Sequence, residues 1–336
     1  MIRFDSARDF HARLVDLPVP DQGARAAASK RQGQLTKPPG SLGRLEELAI
    51  FLAGWQGRER PMIEHGRAVV FAGNHGVVAR GVSAFPADVT VQMVANFRAG
   101  GAAINALAKA ANLTLDVVPL DLDRPTADFT QAPAMGEAEC LAALNAGAAS
   151  VMDADLLVLG EMGIGNTTAA AALAAASFGA RAADWVGPGT GVDAQGIARK
   201  VETVEAGLVL HREHLDAPFE ILRRLGGREI VAIAGALLAS RLGRVPVVLD
   251  GFIATSAITP LTLLNPAIGD HCIAGHCSAE PGHIRLLDRL GLEPLLALDM
   301  RLGEGSGAAV AVQIIRAALA AHNGMATFAE AGVAGG

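Results

Sequence analysis

The 336-residue chain is 51% hydrophobic, 18% charged and 4% aromatic, with 39 glycines and no tyrosine. That is too apolar for a disordered chain and too poor in β-branched and aromatic residues for an all-β sandwich. Twenty-eight Lys and Arg against 34 Asp and Glu leave a net charge of −6, which excludes the broad basic face that a nucleic acid needs. A small anion held by one helix N-terminus and one lysine stays open.

The length fits two domains or one large α/β domain with an appendage. Three cysteines, Cys140, Cys272 and Cys277, are too few for a disulfide scaffold and odd in number. The opening MIRFDSARDFHARLV is charged throughout and lacks the apolar core of a signal peptide. The longest uncharged stretch, 162–180, is interrupted by Gly163, Gly165, Asn166, Thr167, Thr168 and Gly179, a poor membrane helix. A soluble, cytoplasmic protein without a membrane span is expected.

Residues 1–60 place apolar residues at helical spacing, interrupted by Pro18, Pro20 and the turn-rich Lys37-Pro38-Pro39-Gly40-Ser41. Ser41 predicts the N-cap of a helix over 42–56 with Leu45, Leu48, Ala49 and Leu52 on one face. From about residue 66 the texture changes to short apolar runs at 68–72, 115–120, 156–160, 245–249 and 294–298. Small polar clusters follow them, and then Ala-rich stretches that predict helices over 88–110, 137–150, 167–178, 193–213, 228–241 and 306–321. Strands apolar along their whole length, separated by helices, predict an α/β fold with a doubly wound, parallel sheet. Right-handed crossovers then put ligands at the C-terminal ends of the strands.

Four segments carry candidate chemistry. In FAGNHGVV, running on to GVSAFP, Gly73 and Gly76 permit close backbone approach, and Asn74, His75 and Ser83 could line a pocket. A βα turn rich in glycine for geometry alone would look the same, and Gln92 on the next helix reads as a solvated residue. In LGEMGIGNTT, Gly163, Gly165, Asn166 and Thr167 sit where the free amides of a helix N-terminus form an anion site. Glu161 lies at the strand end beside them; the bland reading is an N-cap with an incidental glutamate.

The third segment, GPGTGVDA at 187–194, has neither the G-x-G-x-x-G spacing nor the preceding strand of a dinucleotide fingerprint, and no P-loop occurs anywhere. In the fourth, RLGEGSGAA, Glu304 stands between glycines directly before an apolar helix, an unusual place for a surface glutamate. His271, Cys272, His276, Cys277 and His283 cluster within thirteen residues, but their spacing matches no common zinc site, and a strand would point His271 and Cys272 apart. No metal is expected there.

Together KPPGSLGRLEELA, GNHGVVARGVSAFP, GEMGIGNTT, PVVLDGF, GHCSAEPGH and RLGEGSGAA, in this order over roughly residues 30–325, closely resemble the nicotinate-nucleotide–dimethylbenzimidazole phosphoribosyltransferase family. The resemblance implies transfer of phosphoribose from nicotinate mononucleotide to 5,6-dimethylbenzimidazole, giving α-ribazole 5′-phosphate and nicotinate for cobalamin assembly, without a cofactor. It implies a Rossmann-like large domain over 66–321, a small helical domain from 1–65 plus about 322–336, and a homodimer. By the same resemblance Glu304 is the general base and Glu161 the second catalytic glutamate. Ser83, Gln92, Met162 and Leu302 would contact the base, while Gly163, Gly165, Asn166, Thr167, Gly189 and Lys200 would hold the nucleotide and its phosphate. Transfer to another base, such as adenine or a phenol, stays open. A nucleotide-dependent oxidoreductase or a two-lobed small-molecule binder are the competing classes.

Overall fold

The computed structural model describes residues 2–334; residue 1 and residues 335–336 of the C-terminal segment lie outside the described residues. Three helices come first, α1 (Ala7–Val15), α2 (Gln22–Gln32) and α3 (Arg44–Gln56). Then follow β1 (Gly66–Ala72), α4 (Asp88–Ala99), α5 (Ala103–Ala110), β2 (Thr114–Pro119), α6 (Glu137–Ala149), β3 (Leu156–Met162) and α7 (Asn166–Phe178). Next are α8 (Ala194–His211), α9 (Pro218–Leu225), α10 (Arg228–Leu242), β4 (Val247–Leu249), α11 (Phe252–Ser256) and β5 (Cys272–Ala274). The chain closes with α12 (Pro281–Leu290), α13 (Ser306–Gly324) and α14 (Phe328–Ala331).

The five strands are all parallel, in the order β2-β1-β3-β4-β5. Side chains alternate along a strand, so each strand feeds two layers. Val69, Phe71, Leu157, Leu159, Val247 and Leu249 bury themselves under α6, α7, α9 and α10. Ala68, Val70, Leu156, Val158 and Val248 face the opposite way, against α3, α5 and α13. A sheet covered on both faces is why these strands read as unbroken apolar runs. Every residue of α10 except Leu242 is buried. That helix touches α6 backbone to backbone, a Cβ at Gly147 falling 1.7 Å from the Ala232 carbonyl oxygen.

Three local expectations are corrected. The run at 294–298 is no strand: it is partly exposed, and only Leu296 makes a single bridge, to His276. The fifth strand is instead the three-residue Cys272–Ala274 beside β4. The helix over 88–110 is two helices, because Gly100 at φ +80° ends α4. Ser41 caps nothing; α3 starts at Arg44 after Gly43 at φ +52°, and the Glu46 carboxylate accepts the Leu42 amide at 3.0 Å.

At one end of the molecule α2 and α3 meet the end of α13. Arg31 Nε donates to the His322 carbonyl at 2.9 Å, and Leu35 bridges Thr327 antiparallel. By contrast, Phe4, Phe10 and Leu14, in and just before α1, join the core on the α10 side of the sheet.

Candidate active site

β1, β3 and β4 stop at the same edge of the sheet, and the loops leaving β3 and β4 form a cleft there with the loop before α13. After β3, Gly165 at φ +93° turns the chain into α7. The Ile164 amide on this turn donates to Thr90 Oγ1 at 3.2 Å, which ties α4 to it. Asn166 Nδ2 donates to the Glu161 carboxylate. Thr167 Oγ1 accepts from Lys200 Nζ at 2.9 Å, and Lys200 also donates to the Gly187 carbonyl at 3.2 Å. Over this pair closes the loop at 187–191: a Cβ on Gly189 would lie 2.8 Å from Lys200 Nζ and 3.1 Å from Thr167 Oγ1.

Lys200 is buried, and burial lowers its pKa, opposed by the charge of Glu280. Burial raises the Glu280 carboxyl, with Lys200 pulling the other way. A helix N-terminus and a glycine-containing loop on one cleft, with a buried ammonium behind Thr167, are together suited to an anion.

The opposite wall is acidic. Glu161 and Met162 end β3; Leu302, 56% exposed, and Gly303 line the same cleft, and a Cβ on Gly303 would lie 2.5 Å from Glu161 Oε1. Burial, followed by the charges of Glu229 and Asp250, pushes the Glu161 carboxyl well above its ordinary value, while the Asn166 hydrogen bond opposes this. Gly303, Glu304 and Gly305 take φ of +84°, +65° and +84°. Glutamate adopts that left-handed conformation only under external constraint. The constraint is visible: a Cβ on Gly160 would lie 2.5 Å from the Glu304 carbonyl carbon and oxygen, so strand and loop meet backbone to backbone. Glu304 is 4% exposed, and its Oε2 has no hydrogen-bonding partner among the described residues. Burial raises its pKa, the Ile104 amide in the first turn of α5 lowers it, and Asp250 raises it again.

Glu161, Met162, Gly163, Asn166, Thr167, Gly189 and Leu302 thus surround one cleft; Lys200 stands directly behind Thr167, and Glu304 follows Gly303 of the wall. Ser83 and Gln92 are not in that lining. The Ser83 hydroxyl accepts the Phe85 amide at 3.2 Å, and Gln92 is exposed on α4. His75, whose role the sequence left open, packs beneath the anion turn with its Nε2 2.6 Å from Glu229 Oε1, both side chains sealed from solvent. The Cys/His segment splits in two: Cys272 Sγ lies 3.7 Å from His271 Nδ1 rather than pointing apart from it, and the His276 and His283 rings are 6.1 Å apart. His271 packs edge-on to Trp55, His276 enters the cleft wall, and His283 Nδ1 accepts the Ser278 amide at 2.9 Å.

Sequence reasoning assigned no role to Asp250, Glu229, Glu280 or Arg301, whose Nη1 donates to the Gly189 carbonyl at 3.4 Å. Asp250 had a usable signal, an acid directly after an apolar run, as Glu161 follows the run at 156–160; Glu229 had none. A wider groove at the other end of the sheet is lined by Trp55, Arg58, Asp155 and Arg244. Its charges are satisfied within the protein, Arg58 by Asp155 at 3.1 Å and Arg244 by the Val19 carbonyl at 2.7 Å.

A family model described as phosphoribosyltransferase matches residues 17–333. The nicotinate-nucleotide–dimethylbenzimidazole phosphoribosyltransferase of Novosphingobium aromaticivorans is 68% identical over all of both chains, and that of Cereibacter sphaeroides 59% over 99% of each. The crystal structure of the protein so named from Thermus thermophilus superposes with a TM-score of 0.87 at 44% identity, over 94% of this chain and 100% of that one. The chain belongs to the nicotinate-nucleotide–dimethylbenzimidazole phosphoribosyltransferase family.

Proposed function

We propose that this phosphoribosyltransferase moves phosphoribose from nicotinate mononucleotide to 5,6-dimethylbenzimidazole, releasing nicotinate, with Glu304 as proton acceptor. The observation that carries the assignment is the Glu304 carboxyl: buried, raised in pKa, and with one oxygen left unsatisfied by the protein. A buried acceptor in that state calls for a donor from outside the chain.

The C1′–N bond to the pyridinium breaks with its electron pair going to the ring nitrogen, which leaves as neutral pyridine. One azole nitrogen of the incoming base attacks C1′ through an oxocarbenium-like state, and the proton on the other nitrogen passes to Glu304. Because the leaving ring starts out cationic, no step calls for a Lewis acid. Positioning supplies much of the rate, and a well-placed base about another 10²–10⁴-fold. The α7 N-terminus, Thr167 and Lys200 suit the 5′-phosphate, and Glu161, Met162 and Leu302 suit the ring side. Ser83 and Gln92 would act on the base side only if their loop and helix close over it.

The same proposal takes residues 1–65 with about 322–336 as a small helical unit on the large one, and two copies as associating. In support, Arg31 and Leu35 join the N-terminal helices to the C-terminal segment. Replacing Glu304 by Gln keeps the shape and removes the proton acceptor. E304Q is expected to fold, bind the base and lose about 10²–10⁴-fold in kcat. Steady-state kinetics that find most of the turnover intact would transfer the role to Glu161.

A further inference from the structure

We propose that Asp250 is a positioning residue for Glu304, holding the 303–305 loop in register from the end of β4. This rests on the reading of Glu304 given above. The N-cap of α13 is Gly305, which has no side chain to satisfy the first amides of its helix. A larger residue is disfavoured there twice over: φ is +84°, and a Cβ would lie 3.3 Å from Val158 Cγ1 and 3.4 Å from Gly160 Cα. The cap therefore comes from elsewhere in the chain. Asp250 Oδ2 accepts the Gly305 amide at 3.1 Å and Oδ1 accepts the Ala308 amide at 2.9 Å, both buried.

Gly305 N belongs to the peptide that joins it to Glu304. The same peptide touches Gly160, where a Cβ would lie 2.6 Å from Gly305 N. One peptide unit is thus packed against β3 and hydrogen-bonded to Asp250, one bond away from the Glu304 Cα. The β3 contact and the two Asp250 hydrogen bonds together hold the glutamate at φ +65°. His276 stands behind Asp250, its Nε2 3.5 Å from Oδ1, buried and otherwise without a polar partner among the described residues.

Asp250→Asn tests this at constant volume, because its amide nitrogen must face one of the two N–H groups. Expected are a fall of tenfold or more in kcat and a KM for nicotinate mononucleotide within twofold of wild type, since neither Asp250 hydrogen bond reaches the turn at 163–167. Amide exchange should speed up in a peptide covering 303–308 and stay unchanged over 163–167. Combined with E304Q, the substitution should cost less than twofold further, since nothing remains to be positioned. Asp250→Glu keeps the charge but moves it off the two amides, and carries the same expectations if the Asn variant does not fold. Unchanged kcat in the Glu variant, equal losses in kcat and KM, multiplicative losses in the double variant, or unaltered exchange at 303–308 would each overturn the proposal. E304Q retaining its turnover is a different result: it removes the Glu304 reading and leaves the exchange measurement to judge the clamp.

Discussion

Gly160 offers the sharpest perturbation of the site, because a single methyl group there meets only main chain. In Gly160→Ala the added carbon would stand 2.5 Å from the carbonyl carbon and oxygen of Glu304. That is about 0.9 Å short of ordinary van der Waals contact, and neither atom can rotate away as a side-chain terminus could. β3 cannot yield easily, being hydrogen-bonded to β1 along its whole length and to β4 as well. The 303–305 loop must move instead, against its two hydrogen bonds to Asp250. Overpacking of this kind costs about 1–3 kcal/mol, and each kcal/mol lowers Tm by roughly 1–2 °C in a chain of this length. A catalytic group displaced by about 1 Å loses on the order of 10²-fold in rate. The variant should therefore melt a few degrees lower and turn over about a hundredfold more slowly, with its KM for nicotinate mononucleotide little changed. Steady-state kinetics in both substrates and a thermal melt decide the matter. Wild-type turnover in a protein that melts normally would show that the loop is not set by its contact with β3.

Lys200→Ala should raise the KM for nicotinate mononucleotide by about tenfold or more while leaving that for the base near its wild-type value; equal rises in both would make Lys200 a structural residue of the 187–191 loop. Glu161→Gln tests the acidic wall through stability. The native carboxyl titrates well above its ordinary 4.5, so as pH rises past that value the unfolded chain ionises first and native stability falls until the folded value is passed. The Gln variant lacks this loss. Its Tm advantage over wild type should thus be absent near the ordinary glutamate value and grow as pH rises toward neutrality. Melts of both proteins across that range would contradict the reasoning if the advantage shrank.

How much was legible in advance depends on the reach of each signal. β1, β3 and β4 were readable because each is an apolar run ending in small polar residues, a local pattern caused by burial on both faces; β2, a half-buried edge strand, still showed as the apolar run at 115–120. β5 was not: three residues flanked by His271 and Gly275 leave no run to see, whereas 294–298 has the run but lies at the surface. The split between α4 and α5 was within reach, since Gly100-Gly101 stands in the sequence as a pair of helix breakers. Glu161, Asn166 and Thr167 follow a strand–turn–helix logic that a sequence displays directly. Glu304 stood out through its flanking glycines, although only the fold shows why they are glycines. The bonds from Asp250 to the start of α13, and from Glu229 to His75, join segments 55 and 154 positions apart. No local pattern encodes such a pairing.

The contact of β3 with the loop before α13 has a consequence for how this protein can vary. Glu161 is the next residue after Gly160, and Glu304 belongs to the peptide that Gly160 touches. The path from one carboxylate-bearing residue to the other therefore runs through main-chain atoms, with no intervening side chain. Exchanges of Leu, Ile, Val and Ala in the two layers of the core can tilt a helix or refill a gap without entering that path. The spacing of the two acids is insulated from drift in the core, and only glycine at position 160 keeps it so.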